Sequence, residues 1–165
     1  MSIRNVAKAI IINEGKILLN ECFDNYEGKF YTLPGGGQNQ YETLYETLTR
    51  ECLEETGYTI IPVRFAALFE EIYIEEYWKE RCPDYTHIIH HIFICSITNE
   101  KMQNQTEKDS KQIKNEWIEL RLLKNVKLLP KTINENIVRI INNNERYFFG
   151  SEKIGRRTGR QTYGV

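Results

Sequence analysis

The chain reads as an α+β or α/β sandwich, with a mixed β-sheet packed between helices. Three observations predict this. Short β-rich runs alternate with two helix candidates that lie far apart in the chain. The first candidate, residues 40–56, contains no proline and is followed by Gly57; the second, residues 131–142, carries Ile133, Ile137, Ile140 and Ile141 at helical spacing. The length of 165 residues, 41% of them hydrophobic, suits one domain with a full-sized core.

The elements follow in order. Residues 6–13 are β-rich, Asn13-Glu14-Gly15 is a turn signal, and residues 16–21 read as the returning strand of a hairpin. Residues 22–29 are polar and read as a loop, and residues 30–33 form a short strand that delivers the chain to Gly35, Gly36 and Gly37. Three glycines in a row suit a tight turn or a close approach of backbone to a ligand. Asn39 and Glu42 have the spacing of a capping box, which predicts where the first helix starts. Beyond Gly57, residues 58–69 are β-rich, and Pro62 marks an edge or a bulge. Residues 70–78 continue the strand by alternation, residues 79–85 break it, and residues 87–97 form a strong strand. Residues 99–114 read as a lysine-rich loop and residues 115–120 as a strand end. The main domain is assigned to residues 1–149. Residues 150–165 set Lys153, Arg156, Arg157 and Arg160 against Glu152 among glycines, and read as a flexible basic tail, either solvated or in contact with a second copy in a homodimer.

Composition excludes several classes. A formal net charge of −1 implies no general attraction to duplex nucleic acid or to a membrane surface. No apolar stretch approaches a bilayer span, and the first residues lack the layout of a signal peptide. Cys22, Cys52, Cys82 and Cys95 are widely spaced, which suits reduced thiols in a cytoplasmic protein.

The first helix candidate has its charges in an unusual place. At about 100° per residue, Leu44, Leu48, Glu51 and Glu55 share one sector, with Glu54 beside it. A helix that only solvates its outer face would set its carboxylates opposite the apolar stripe. Neighbouring carboxylates one turn apart repel, by up to ~4 kcal/mol at an intermediate dielectric. Protonation of one carboxylate or a bound cation relieves this. Magnesium takes one or two carboxylates, keeps waters and completes its shell with phosphate oxygens. A glycine turn leading into such a helix therefore reads as a metal–phosphate site.

Residues 36–58 also resemble the Nudix hydrolase box, G-x5-E-x7-R-E-U-x-E-E-x-G-U, where U is a bulky aliphatic residue. Gly36, Glu42, Arg50, Glu51, Glu54, Glu55 and Gly57 occupy every fixed position, while Cys52 and Tyr58 depart from the usual aliphatic at two U positions. The resemblance implies an α/β/α sandwich over about residues 4–144. It also implies hydrolysis of a pyrophosphate bond in a nucleoside diphosphate linked to another moiety, with Mg2+ or Mn2+ bound. It puts Glu54 and Glu55 forward as metal ligands and Glu51 as a third ligand or the base that activates water. The Gly36 carbonyl is a further candidate ligand. Arg50 stays charged and should pair with a carboxylate, either of Glu46 or Glu54 along the helix or in support of the metal site. Glu116, before Trp117, stands where some members place a ligand or base opposite the helix.

Other features are weaker. On a strand, His87 and His91 share a face about 13 Å apart, too far to share one ion, and His90 faces the other way, so surface or pocket-lining roles are expected. Phe23, Tyr26, Tyr31, Tyr73 and Tyr77 are candidates to stack on a nucleobase. ADP-ribose members tend to carry a proline some way past the box, and here Pro62 is too near and Pro83 too far. Tyr73 and Tyr77 lie near the tyrosine of dinucleoside-polyphosphate members, and residues 17–36 do not match the upstream motif of the coenzyme A type. Two rival readings remain at this point. One is a non-catalytic nucleotide sensor, which would commonly have lost box glutamates. The other is an isomerase on a related scaffold, needing Cys52 or Cys95 opposite a glutamate.

Overall fold

The structure is a computed structural model that describes residues 3–25, 27–81, 85–98, 111–154 and 161–163. Tyr26, the Tyr77 side chain, Cys82, Pro83, most of the expected lysine-rich loop and Arg156, Arg157 and Arg160 lie outside the described residues. The elements are β1 (Arg4–Asn13), β2 (Lys16–Asp24), β3 (Gly28–Thr32), α1 (Leu44–Thr56), β4 (Ile60–Tyr73), α2 (Glu76–Arg81), β5 (His87–Ile97), β6 (Gln112–Glu119), a 3-10 helix (Leu120–Asn125), β7 (Leu128–Leu129), α3 (Lys131–Asn142), β8 (Tyr147–Ile154) and β9 (Gln161–Tyr163). Among the described residues, no helix is long and apolar enough to cross a membrane.

The sheet has two wings joined by the first hairpin. In one wing β1 pairs in parallel with β5, β5 antiparallel with β4, and β4 in parallel with β8. In the other, β2 pairs antiparallel with β3 and β6, and β3 pairs in parallel with β7. The link between them is short: β1 and β2 share only the pairs Ile12–Ile17 and Asn13–Lys16. Past that point β1 needs a new edge partner, and the glycine segment supplies it. Ala9 N donates to Pro34 O at 2.8 Å, Ala7 N to Gly36 O at 3.0 Å, and Gln38 N to Asn5 O at 2.9 Å. This is how the glycines are brought beside the sheet.

β1 is buried on both faces, which explains an apolar run interrupted only by Lys8. Ala7, Ala9 and Ile11 pack with Phe93 against Leu48 and Cys52 of α1. Ile10 packs on the other face with Phe69, Ile92 and Ile133, Ile137 and Ile140 of α3. The two helices thus cover opposite faces of a mixed sheet, as the sequence predicts.

Three expectations are corrected. The helix start lies at Thr43, not Asn39: Glu46 N donates to Thr43 Oγ1 at 3.2 Å, and Thr43 N donates to Glu46 Oε2 at 2.7 Å. Asn39 and Glu42 instead close a turn just before it, with Glu42 N donating to Asn39 O at 3.2 Å. Residues 74–78 do not continue the strand. Pairing of β4 with β5 ends at Ile72–His87, and without a partner the chain turns into α2, where Lys79 N donates to Glu75 O at 3.2 Å. Finally, the boundary between residues 149 and 150 falls inside β8, which pairs along β4 as far as Tyr73–Ile154. The free backbone edge of β4 decides that pairing, and side-chain composition does not report it.

Candidate active site

The box residues meet in one place because three backbone segments converge there. α1 carries Glu51, Glu54 and Glu55 past the glycine segment, which lies along β1. Together they line a cavity of about 330 Å3 with Arg4, Val6 and Lys8 of β1, Ile88 and His90 of β5, and Tyr85.

Gly35 and Gly36 are required by close contact. A Cβ on Gly35, whose φ is +114°, would lie 2.2 Å from Ala7 O. One on Gly36 would lie 2.3 Å from Glu51 Oε2, so the Glu51 carboxylate rests on bare backbone. The Gly36 carbonyl, a candidate ligand, already accepts the Ala7 amide and has one lone pair left.

Arg50 organises the carboxylates. Its Nε and Nη2 fork reaches both Glu42 oxygens at 2.7 and 2.9 Å. Nη1 donates to Glu51 Oε1 at 2.8 Å and to Glu54 Oε2 at 3.1 Å, and Nη2 also reaches Gly37 O at 3.2 Å. The guanidinium holds the Glu42 carboxyl down to about 2, and in turn its own pKa is raised, chiefly by Glu42. Of its two expected helix partners, Arg50 takes Glu54 and leaves Glu46 to the cap.

Glu55 is handled differently. It is 8% exposed, and its Oε2 accepts from Gly35 N at 2.8 Å and Asn20 Nδ2 at 2.9 Å. Burial raises its pKa, an effect opposed by the nearby Lys8 ammonium and these two donors. Lys8 Nζ itself donates to Gly35 O.

The donor set suits a hard divalent cation. One oxygen each of Glu51, Glu54 and Glu55 is spoken for by Arg50, Gly35 or Asn20, and the other oxygen of each has no hydrogen bond among the described residues. Three carboxylates face one cavity beside backbone carbonyls, and all are oxygen donors, as Mg2+ and Mn2+ prefer. The side chains are not gathered into a finished cage: among the described residues, no three acidic, histidine or cysteine groups converge on a single point.

Glu116 is not brought to this cluster. It lies across from Leu19 on β6, and its Oε2 accepts from Tyr31 Oη at 3.0 Å and pairs with Lys114 at 3.4 Å. The face of the sheet that leads to Glu55 carries its neighbour instead, as Asn115 Nδ2 donates to Asn20 Oδ1 at 2.7 Å. Each histidine has its own partner. His87 pairs with Glu70, His91 with Asn5 at 3.2 Å and His90 with Glu71 at 2.8 Å. Cys52 and Cys95 lie in the core, where burial pushes the Cys52 thiol well up and the Cys95 thiol up to about 12, so neither of the two cysteines the isomerase reading needs is suited as a nucleophile.

Of the expected stackers, Phe23 is exposed, Tyr31 is bonded to Glu116, and Tyr73 packs edge-on against Trp78 at 6.0 Å. The aromatic that lines the cavity is Tyr85, with the Arg4 guanidinium 4.7 Å over its ring. Sequence reasoning also missed Lys8 and Asn20. The signal was there: Lys8 is a lone polar residue in the apolar run of β1, and Asn20 is a polar residue that directly follows the apolar run of residues 17–19 in β2.

Comparison with known proteins agrees with the geometry. The NUDIX domain family model matches residues 2–141. A Caenorhabditis elegans protein named "Putative nudix hydrolase 1" is 29% identical over an alignment of 128 positions that covers 74% of this chain and 31% of that protein. The chain therefore matches about a third of that relative's length. Among solved structures, a NUDIX hydrolase from Nitrosomonas europaea superposes with a TM-score of 0.67 at 15% identity, covering 86% of this chain and 89% of its own. A MutT protein from Bacillus halodurans gives 0.66 at 17% identity, covering 93% and 92%. An ADP-ribose pyrophosphatase from Streptococcus suis gives 0.61 at 19% identity, covering 89% and 99%. At these identities the structural likeness speaks for the fold, and the family is carried by the domain match together with the box that lines the cavity: the chain belongs to the Nudix hydrolase family.

Proposed function

We propose that this chain is a Mg2+- or Mn2+-dependent pyrophosphohydrolase, acting on a nucleoside diphosphate linked to another moiety such as a sugar or a second nucleotide. The observation that carries this reading is the grouping of Glu51, Glu54 and Glu55 around one cavity, each with an oxygen to spare, beside the backbone of Gly35–37. A bare carboxylate cluster repels a diphosphate, so it is suited to one only through divalent cations. When bound, those cations neutralise phosphate charge and acidify an attacking water.

The protein's own groups have separable tasks. Glu54 and Glu55 are the first metal ligands. Glu51 is a third ligand or accepts the proton of the water that attacks phosphorus, and its contact with the Gly36 backbone keeps it at the cavity wall. Arg50 holds Glu51 and Glu54 in fixed rotamers. Lys8 and the Asn20 amide oppose the effect of burial on Glu55 and so favour its carboxylate form. The complete set of box glutamates weighs against a sensor that only binds.

The test is a panel of nucleoside diphosphate derivatives assayed with Mg2+ or Mn2+, with products identified. Release of a nucleoside monophosphate and a second phosphorylated product, abolished by chelation, is the expected result. A protein that hydrolyses none of the panel with either metal loses this assignment.

A further inference from the structure

The cavity has a far end that the carboxylates do not use. The register of β1 with β5 sets Arg4 beside Ile88 and Val6 beside His90. Lys8, whose ammonium reaches the Gly35 carbonyl, marks the carboxylate end. It lies four residues from Arg4, about 13 Å along the strand. The wall between is largely apolar, formed by Val6 and Ile88, with the half-exposed ring of Tyr85 at the rim. This leaves room and suitable chemistry for the ring systems that accompany a diphosphate.

Within that wall lies a polar arrangement that fold stability does not explain. His90 is 6% exposed and Glu71 4%, and His90 Nε2 meets Glu71 Oε2 at 2.8 Å. The imidazole is stacked on Phe69, with centroids 4.2 Å apart and planes 8° apart, so its orientation is fixed. Its other nitrogen, Nδ1, is buried and has no hydrogen-bond partner among the described residues. Burying a polar pair costs desolvation that well-packed apolar side chains of the same volume do not incur, and an orphaned ring nitrogen adds a further cost. The Glu71 carboxylate has no hydrogen to give, so Nε2 is the donor, and in the neutral ring Nδ1 keeps a lone pair for a donor that none of the described residues supplies.

We infer that His90 reads the nucleoside end of the ligand, with Nδ1 accepting a hydrogen bond from a sugar hydroxyl or a base amine, and that Glu71 is the positioning residue that fixes the tautomer. The inference rests on the hydrolase reading for the class of ligand. The bound molecule then lies along β1, its diphosphate toward Lys8 and its nucleoside toward Arg4 and Tyr85.

Two isosteric variants separate the nitrogens. His90→Gln keeps an amide near Nε2 to meet Glu71 and has nothing at Nδ1, whereas His90→Asn keeps a polar atom near Nδ1. Binding is measured by calorimetry with Mg2+ for α,β-methylene-ADP and for methylenediphosphonate, which has no nucleoside. The expected result is about tenfold weaker binding of the nucleotide analogue by the Gln variant, unchanged binding of methylenediphosphonate, and recovery of most of the loss in the Asn variant. Repeating the comparison with the 2′,3′-dideoxy analogue separates the two donors: a Gln penalty that disappears identifies a sugar hydroxyl, and one that persists a base amine. Equal binding of the nucleotide analogue by Gln variant and wild type, or equal losses for both ligands, overturns the inference. Should the Gln variant fail to fold, the imidazole nitrogen NMR signals of the wild-type protein decide: a His90 Nδ1 resonance that does not move on addition of α,β-methylene-ADP overturns it. Binding through His90 by a protein that hydrolyses nothing in the panel removes the hydrolase reading alone, and turnover without any His90 effect removes this inference alone.

Discussion

The two long helices sit on opposite faces of the same sheet and are built on opposite principles. α3 buries Ile133, Ile137 and Ile140 completely, and its last carbonyls are met from β4, where Arg64 Nη2 donates to Ile140 O at 2.8 Å and Asn143 O at 2.6 Å. Each such isoleucine contributes about 1.5–3 kcal/mol by leaving water. α1 buries only Leu48 and Cys52 among its apolar residues, and Thr47, Glu55 and Thr56 go in with them. It is held by a capping box, by Gly57 in the left-handed conformation with its N–H on Leu53 O at 2.8 Å, and by the Arg50 ion pairs. One helix spends its inward face on packing and the other on chemistry. In α1, local hydrogen bonds replace stability that burial would otherwise provide.

That contrast can be broken in four places. The largest effect belongs to α1: Glu54→Gln or Glu55→Gln lowers kcat by at least about a thousandfold, while circular dichroism and the unfolding midpoint stay close to wild type. Wild-type turnover in both variants would remove the metal-site assignment. The mirror experiment is Ile137→Ala in α3, which costs about 2–5 kcal/mol in denaturant unfolding and leaves kcat per folded molecule unchanged. A fall in kcat as large as the fall in stability would show that the two faces are not separable. Next comes Thr43→Ala, which removes the capping oxygen and costs about 1 kcal/mol by the same unfolding assay. A null result there would mean that α1 is held from the sheet and not from its own end.

The smallest effect is a change of shape with pH. Arg50 holds the Glu42 carboxyl down to about 2, below the ordinary carboxylate range, so the pair stabilises the fold above the unfolded-state pKa and that contribution is lost as pH falls toward 2. Glu42→Gln should therefore lower stability at neutral pH and converge with wild type as pH falls toward 2, which flattens the acid limb of the stability–pH curve below about pH 4.5. An acid limb identical to wild type would show that the Arg50 fork does not couple to folding.

The same contrast explains what sequence could and could not reveal. α3 was readable with its limits, because isoleucines at helical spacing report burial directly. The grouping of Glu51, Glu54 and Glu55 was readable too, because one helix fixes their relative angle. The capping register was not, since residues 39–42 and 43–46 both carry a polar residue followed three positions later by glutamate, and only the path of the chain chooses between them. Strand lengths failed where a partner strand decides the outcome, as at residues 74–78 and along β8. Glu116 illustrates the limit of a local pattern: alternation on β6 decides which face it takes, and its sequence neighbours do not reveal which face looks toward Glu55. His90 and Glu71 come together only through the pairing of β4 with β5.

Residues 34–38 look like an ordinary connection, and connections usually tolerate changes in length. This one does not behave as a connection, because its carbonyls and amides are stitched to Asn5, Ala7 and Ala9. Adding or removing one residue there would slip the stitching by a step and drive a side chain into the Ala7 carbonyl or the Glu51 carboxylate. Between Leu33 and Asn39 the spacing of the chain is therefore as constrained as the identity of any glutamate.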